Sequence, residues 1–301
     1  MTQPFRLPAG GLVDRMRPLA FEYDGVGMHG YGGDTLASAL LANGVHLVAR
    51  SFKYHRPRGI FSCGTEEPNA LVRLAQRART EPNVRATTLE LYAGLVAASQ
   101  NCWPSVRFDA SSLYDRLSRL IPAGFYYKTF MWPAGPRWWL RYEHLIRHAA
   151  GMGRAAAEAD PDVYEHRYAH CEVLVIGGGV AGLAAARAAA ATGARVILCD
   201  EQPSWGGRLQ GAKSRVDDVP VADWVAATVD SLAARDDVTL LPRTTAFGWY
   251  DANLVGAIER ITDHLPESPR DVVRQRMWKI RARTIVLASG ALERPDRKSV
   301  V

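Results

Sequence analysis

At 301 residues the chain has room for about two domains of ordinary size. With 48% hydrophobic and 23% charged residues it reads as globular, which excludes a disordered chain. The net charge of +6 is spread among aspartates and glutamates with no compact basic run, which argues against a nucleic-acid role.

The first 18 residues, "MTQPFRLPAGGLVDRMRP", lack an apolar core of the kind a signal peptide needs and are read as a tail. From residue 19 to about 110 the order is strand, turn, short helix, strand, loop and a later strand at "RATTLELY". The first strand, "PLAFEYD", runs into Gly25-Val-Gly27-Met-His-Gly30, which matches G-x-G-x-x-G. The helix that follows, "DTLASALLANG", begins several residues too late, with Asp34 as its N-cap. Arg50 and Lys53 stand where an acid is required, so the motif is expected to be a turn between strands. This element order resembles the β-grasp fold of plant-type ferredoxins. A cluster there needs four thiolates, three at C-x₄-C-x₂-C spacing. The corresponding loop, "KYHRPRGIFSCGTEEPNAL", offers only Cys63, and Cys102 is too distant to complete a set, so we expect no iron–sulfur cluster.

Residues 111–170 are read as an aromatic-rich connector. "AGFYYKTFMWPAGPRWWLRYEHLIRHAAGMGR" is dense in Trp, Tyr and Phe, a composition shared by partner interfaces, cofactor linings and connectors that fold back on their own domain. His144 and His148, like His166 and His170, are read as i,i+4 helical pairs. No carboxylate stands at metal spacing beside them, so they are assigned to solvated faces.

Residues 171–295 carry the strongest signal. "EVLVI" is an apolar, β-branched run suited to a buried parallel strand. Gly177-x-Gly179-x-x-Gly182 follows without a gap, with Gly178, Val180 and Ala181 between. Gly177 permits the tight turn, Gly179 admits a pyrophosphate to the backbone, and Gly182 lets the next helix pack close to the strand. That alanine-rich helix is expected from Ala181 to Thr192, with Gly193 at its C′ position. A second strand, "ARVILCD", delivers Asp200, 18 residues beyond Gly182, where a carboxylate accepts ribose hydroxyls. Glu201 beside it adds a second negative charge, which disfavours the 2′-phosphate of NADP. "SWGGRL" brings Gly206, Gly207 and Arg208 as an element that closes over the cofactor. "RTIVLASGALERP" brings Ser289 and Gly290 back beside the dinucleotide. A helix near Val221–Ala234 and β-rich stretches near 238–250, 254–262 and 272–280 lie between them. The set fits a Rossmann-type, two-dinucleotide-binding flavoprotein domain following a cluster-free β-grasp domain, α/β overall. "GGRLQGAKS" has no paired cysteines, which excludes disulfide-reductase chemistry. The four cysteines form no C-x-x-C pair and no zinc spacing, and read as reduced thiols of a cytoplasmic protein. Arg187 interrupts the longest weakly charged run short of membrane-spanning length, so no membrane segment is expected.

"GDTLASALLANGV", "SFKYHRPRGIFSCGTEEPNALV", "FYYKTFMWP", "RYEHLIRHAAGMGR" and the glycine fingerprint together resemble the N-terminal part of the alpha subunit of heterotetrameric sarcosine oxidases. The resemblance implies NAD in the fingerprint at Gly177, Gly179, Gly182 and Asp200, FAD in a beta subunit, and FMN shared between alpha and beta. It also implies gamma and delta partners, a folate-binding domain further along alpha, and conversion of sarcosine, O₂ and tetrahydrofolate to glycine, H₂O₂ and the methylene-folate. Related opine and amine dehydrogenase subunits share the fingerprint but fit the aromatic segment less well. FAD in the fingerprint of a stand-alone oxidoreductase, or a non-catalytic assembly module, are the other readings. No side chain is assigned as a catalytic acid or base. The final "DRKSVV", Asp296–Val301, departs from the family pattern and back-translates to common sequencing-adapter DNA, so it is expected to be non-native.

Overall fold

Strand β1 (Asp14–Tyr23) alternates exposed Ala20 and Glu22 with buried Leu19, Phe21 and Tyr23, the period of a sheet with one covered face. A computed structural model of the chain describes residues 3–75, 77–120, 124, 130, 132–133, 135–209, 213–266 and 271–291. Two compact units emerge: Met1–Pro8 with Val13–Pro161, and Ala9–Leu12 with Asp162–Val301.

In the first unit β1 pairs antiparallel with β2 (Val26–Gly32) through an Asp24-Gly25 turn with φ of 51° and 77°. Two positive φ angles give the primed turn whose twist suits a hairpin. The first G-x-G-x-x-G is therefore a hairpin, with Gly25 in the turn and Gly27 and Gly30 on β2. β1 begins at Asp14, inside the segment assigned to the tail. Helix α1 (Leu36–Ala42) is capped by Thr35, not Asp34: Thr35 Oγ1 accepts from Ser38 N and Ser38 Oγ accepts from Thr35 N. Asp34 is withdrawn from capping because it is buried against Arg6, 2.6 Å away.

The rest of the unit holds β3 (Ala49–Arg50), β4 (Pro57–Arg58), β5 (Leu71–Leu74), β6 (Glu81–Arg85) and β7 (Leu95–Ser99), with helices α2 (Leu113–Arg116) and α3 (Pro136–Ala149). The sheet runs β2-β1-β7-β5-β6, with β1 and β7 parallel, over a core that includes Leu36, Leu40, Val72 and Leu95. "RATTLELY" is not the strand expected. Its carbonyls at Ala86 and Leu89 accept from Ala37 N and Leu36 N, so they satisfy the start of α1 instead of a ladder.

The second unit contains β8 (Val163–Ile176), α4 (Val180–Ala191), β9 (Val196–Cys199), β10 (Arg215–Val216), β11 (Val219–Pro220), α5 (Val221–Ala233), β12 (Val238–Leu241), β13 (Thr244–Tyr250), β14 (Leu254–Arg260) and β15 (Val273–Leu287). Its main sheet is ordered β12-β9-β8-β15-β14-β13, the first four strands parallel and the last two antiparallel. Helices α4 and α5 cover one face, burying Leu183, Ala186, Trp224 and Leu232 against Val175 and Leu198. Leu174, Ile197, Trp278 and Ile280 pack together in a separate core that includes Cys171 and Cys199. β8 is longer than "EVLVI": it takes in residues 163–170 of the expected connector, so His166 and His170 lie on a strand, exposed, and not on a helix. His144 and His148 are exposed on α3. The β-rich stretch near 272–280 and the "RTIVL" that leads to Ser289 and Gly290 are one strand, β15.

Most of the aromatic run between 121 and 134, residues 210–212, "LERP" at 292–295 and the 296–301 tail lie outside the described residues. No described helix is long and apolar enough to cross a membrane. Burial pushes the Cys171 thiol up to about 11 and the Cys199 thiol up to about 12, so both stay protonated at neutral pH, whereas Cys63 is exposed. Because the thiolate is the nucleophile, a thiol reagent at pH 8 is expected to label Cys63 in the folded chain. Cys171 and Cys199 should label only on denaturation, checked by mass spectrometry before and after adding guanidinium. Fast labelling of either one in the folded chain would contradict their placement in the sheet core.

Candidate functional site

The site forms where the parallel strands β8, β9 and β15 end. Leaving β8, the chain is pinned by Gly177 N donating to Cys199 O at 2.8 Å, while Ala288 N, just past β15, donates to Ile176 O at 2.8 Å. Each glycine of the turn is there for a different reason. Gly177 has φ +108°, and a Cβ on it would stand 2.4 Å from Ala288 O. A Cβ on Gly178 would stand 2.3 Å from the Trp205 ring. On Gly182 it would fall 1.8 Å from Gly177 O, so only glycine lets α4 come this close to the turn. Gly179 differs: among the described residues nothing lies within 4 Å of where its Cβ would be. It opens α4, and no side chain caps the helix there. The N–H groups of Val180, Ala181 and Gly182 thus start a helix whose positive dipole end faces that open side, which suits a phosphate.

The Gly-Gly element closes on the turn. Gly206 N donates to Gly178 O at 2.8 Å, Gly206 and Gly179 form a parallel bridge, and Gly207 has φ +58°. Arg208 Nη1 donates to Ala291 O at 3.0 Å, tying this element to the segment after β15 that carries exposed Ser289 and Gly290. Of the residues read from the sequence, Asp200, Gly206, Gly207 and Ser289 thus meet the 177–182 turn, Glu201 follows Asp200, and Arg208 reaches the segment just past Gly290. Trp205, Gln202 and Ala288 were missed. A tryptophan before Gly-Gly was visible in the sequence, but its packing against Gly178 follows from the turn's path and from no periodic pattern.

Asp200 sits at the end of β9 with both carboxylate oxygens already engaged: Oδ2 accepts from Gly178 N at 2.5 Å and Oδ1 from Gln202 N at 2.7 Å. It braces the glycine turn, and its remaining lone pairs can still accept from a sugar. Burial raises its pKa above the ordinary carboxylate value, with Glu201 adding to the rise, while the two N–H donors pull the other way. Arg260 donates to Glu201 O at 2.6 Å, so the acidic pair has a cation beside it that the sequence reading did not include.

A raised carboxylate pKa means that the folded state binds this proton more readily than the unfolded chain does. The stability it contributes is present below the unfolded value and is lost as pH rises through the folded one. Lowering pH through the carboxylate range is therefore expected to stabilise the parent chain relative to Asp200→Asn, read as the difference between their urea midpoints. A difference that moves the opposite way would contradict the burial of Asp200.

A mostly parallel sheet whose strand runs through G-x-G-x-x-G into an uncapped helix, with an acid after the second strand, defines the class of dinucleotide-binding oxidoreductases. Residues 172–255 match the family model for FAD dependent oxidoreductase, and residues 16–102 match that for the 2Fe-2S iron-sulfur cluster binding domain. The chain is 55% identical to the sarcosine oxidase alpha subunit of Rhizobium meliloti over 97% of its own length and 29% of that protein. It is 38% identical to the corresponding protein of Corynebacterium sp. strain U-96, over 98% of this chain and 26% of that one. An opine oxidase subunit of Rhizobium meliloti is 32% identical over 41% of this chain and 25% of that one. Among solved structures, L-proline dehydrogenase from P. horikoshii superposes with a TM-score of 0.56 at 18% identity, over 96% of this chain and 44% of that one, a likeness of fold. Over nearly its whole length the chain is similar to sarcosine oxidase alpha subunits, and it spans less than a third of the length of the relatives it matches, in their N-terminal part.

The open face of Gly179 and the free start of α4 fit a dinucleotide pyrophosphate. The donor set of the first unit does not fit an iron–sulfur cluster. A [2Fe–2S] centre takes four thiolates, or two thiolates and two histidines. Cys63 and Cys102 are the only cysteines in that unit, and Cys102 is turned toward Ser99 Oγ at 3.6 Å. Among the described residues no group of three or more His, Cys, Asp or Glu is placed to hold a metal.

Proposed function

We propose that this chain is the dinucleotide-holding N-terminal part of the alpha subunit of a multi-subunit sarcosine oxidase, with NAD bound at the 177–182 turn. The open face of Gly179 at the start of α4 carries the reading, and the 55% identity to a sarcosine oxidase alpha subunit supports it. The bound dinucleotide supplies the redox chemistry, and the protein supplies position and electrostatics. Val180, Ala181 and Gly182 offer N–H donors to the pyrophosphate, Asp200 holds the turn and accepts from the ribose, and Gly206–Arg208 and Ser289–Gly290 flank the entrance. In the full assembly beta, gamma and delta subunits complete the enzyme, with FAD in beta and FMN between alpha and beta. That assembly takes sarcosine, O₂ and tetrahydrofolate to glycine, H₂O₂ and methylenetetrahydrofolate. We place the chain in the cytoplasm, with reduced thiols, and assign the ferredoxin-like unit no cluster.

The match of residues 172–255 to FAD dependent oxidoreductases favours a second reading, with FAD in the same turn. Spectra separate the two. The NAD reading expects purified chain without an absorption band near 450 nm and a calorimetric titration that saturates with NAD. A flavin band retained through purification, together with no NAD binding, would move the assignment to FAD. The chain alone is expected not to turn over sarcosine, with NAD or FAD added; peroxide production by it alone would overturn the multi-subunit reading.

A further inference from the structure

In the first unit, the loop between β4 and β5 is the one that would wrap a cluster, and it closes on a buried carboxylate. Glu67 is 1% exposed. Its Oε2 accepts from Phe61 N at 2.8 Å and Ser62 N at 2.6 Å, and its Oε1 accepts from Asn69 N at 2.7 Å and Ala70 N at 3.0 Å. Four main-chain donors thus converge on one side chain, two to each oxygen, which matches the accepting capacity of an ionised carboxylate. Such charge-assisted bonds are stronger than neutral ones, and removing the acceptor would leave buried N–H groups without a partner. Thr87 Oγ1 donates to Gly64 O at 2.8 Å from the neighbouring segment and holds the middle of the loop.

A second buried pair secures the stretch just before β4. His55 Nδ1 lies 2.7 Å from Asp109 Oδ2 and its Nε2 lies 3.0 Å from Ala149 O. Asp109 Oδ1 accepts in turn from Trp103 N and Ser111 N. Both ring nitrogens of His55 thus lie within hydrogen-bond distance of an oxygen.

We propose that Glu67 takes the structural role that the cluster has in the domain family matched by residues 16–102: an internal anion that gathers loop N–H groups and fixes the loop's path. Cluster sulfurs accept hydrogen bonds from their protein surroundings in the same way. The carboxylate does this without iron, so the first unit is a fixed scaffold and carries no one-electron chemistry.

The test uses the whole chain. Hydrogen exchange at Phe61, Ser62, Asn69 and Ala70 is expected to be about a hundredfold or more slower than in unstructured peptide, as befits buried, bonded amides. In Glu67→Gln one oxygen becomes an NH₂ that faces N–H donors. One of the two pairs, 61/62 or 69/70, should then exchange about tenfold faster, with the β1 amides unchanged. Anaerobic incubation with ferrous iron, sulfide and a thiol reductant should leave the parent chain colourless after desalting. Unprotected loop amides in the parent chain would overturn the proposal whether or not the variant folds. So would an iron–sulfide absorption with about two irons per chain that disappears in Cys63→Ser.

Discussion

Gly182→Ala is expected to unfold the second unit or leave it without its close helix–strand contact. The added Cβ would lie 1.8 Å from Gly177 O, and that oxygen belongs to backbone held on both sides. Gly177 N is bonded to Cys199 O, and a Cβ on Gly177 itself would stand 2.4 Å from Ala288 O, so the turn cannot retreat toward β15. α4 would have to lift, and with it Leu183 and Ala186, both fully buried. Overpacking that side chains can absorb costs about 1–3 kcal/mol, and a clash with backbone exceeds that range, so we expect a loss of about 3 kcal/mol or more. Urea unfolding followed by Trp fluorescence would show it, since Trp224 packs in the same core. A midpoint within error of the parent would mean that α4 does not approach the turn as described.

The second unit was legible in the sequence because its signals are local. A β-branched run, three glycines at fixed spacing, an alanine helix ended by Gly193 and an acid after the next strand each constrain only a few neighbouring residues. The structure places α4 at Val180–Ala191, within a residue of the reading. What stayed hidden depends on partners distant in sequence. Asp34 and Thr35 are both good N-caps, and Arg6, 28 residues earlier, together with Tyr31 N and Ser38 Oγ, engages the Asp34 carboxylate away from the role. "RATTLELY" has a strand's composition, yet α1 takes up its carbonyls. The first half of β8, "VYEHRYAH", is mostly exposed and carries charges, so it lacks the apolar pattern that marked its second half. It is a strand because β15 pairs with it along nearly its whole length.

The site was read with the same strengths and the same blind spot. Its thirteen residues come from motifs, and Asp200, Gly206, Gly207 and Ser289 meet the glycine turn. The second role of Asp200, as a brace for Gly178 and Gln202, arises because β9 ends beside the turn, and no spacing encodes that. Glu67 was less visible still. "TEEPNA" has the composition of an ordinary polar loop, and a buried carboxylate that binds four backbone amides looks in sequence like any exposed glutamate. Buried polar networks depend on three-dimensional closure, and periodicity carries no record of it.

Gly179→Val is expected to do the opposite of Gly182→Ala: keep the fold and abolish the dinucleotide site. Gly179 has φ −69° and ψ 179°, extended backbone that valine adopts readily, and among the described residues nothing stands within 4 Å of the new Cβ. As an N-cap, valine is poorer than glycine, so stability should fall by only about 1 kcal/mol. The space that is empty in the protein is where the pyrophosphate must approach the start of α4, and two methyl groups would fill it. Affinity for NAD, or for FAD in the second reading, should therefore fall at least about hundredfold, roughly 2.8 kcal/mol. Calorimetric titration beside a urea melt gives both readouts from one preparation. Wild-type affinity in a folded Gly179→Val chain would place the ligand elsewhere. Loss of the fold would show that the face beside Gly179 is filled by protein, and the helix start could not then serve as a phosphate site.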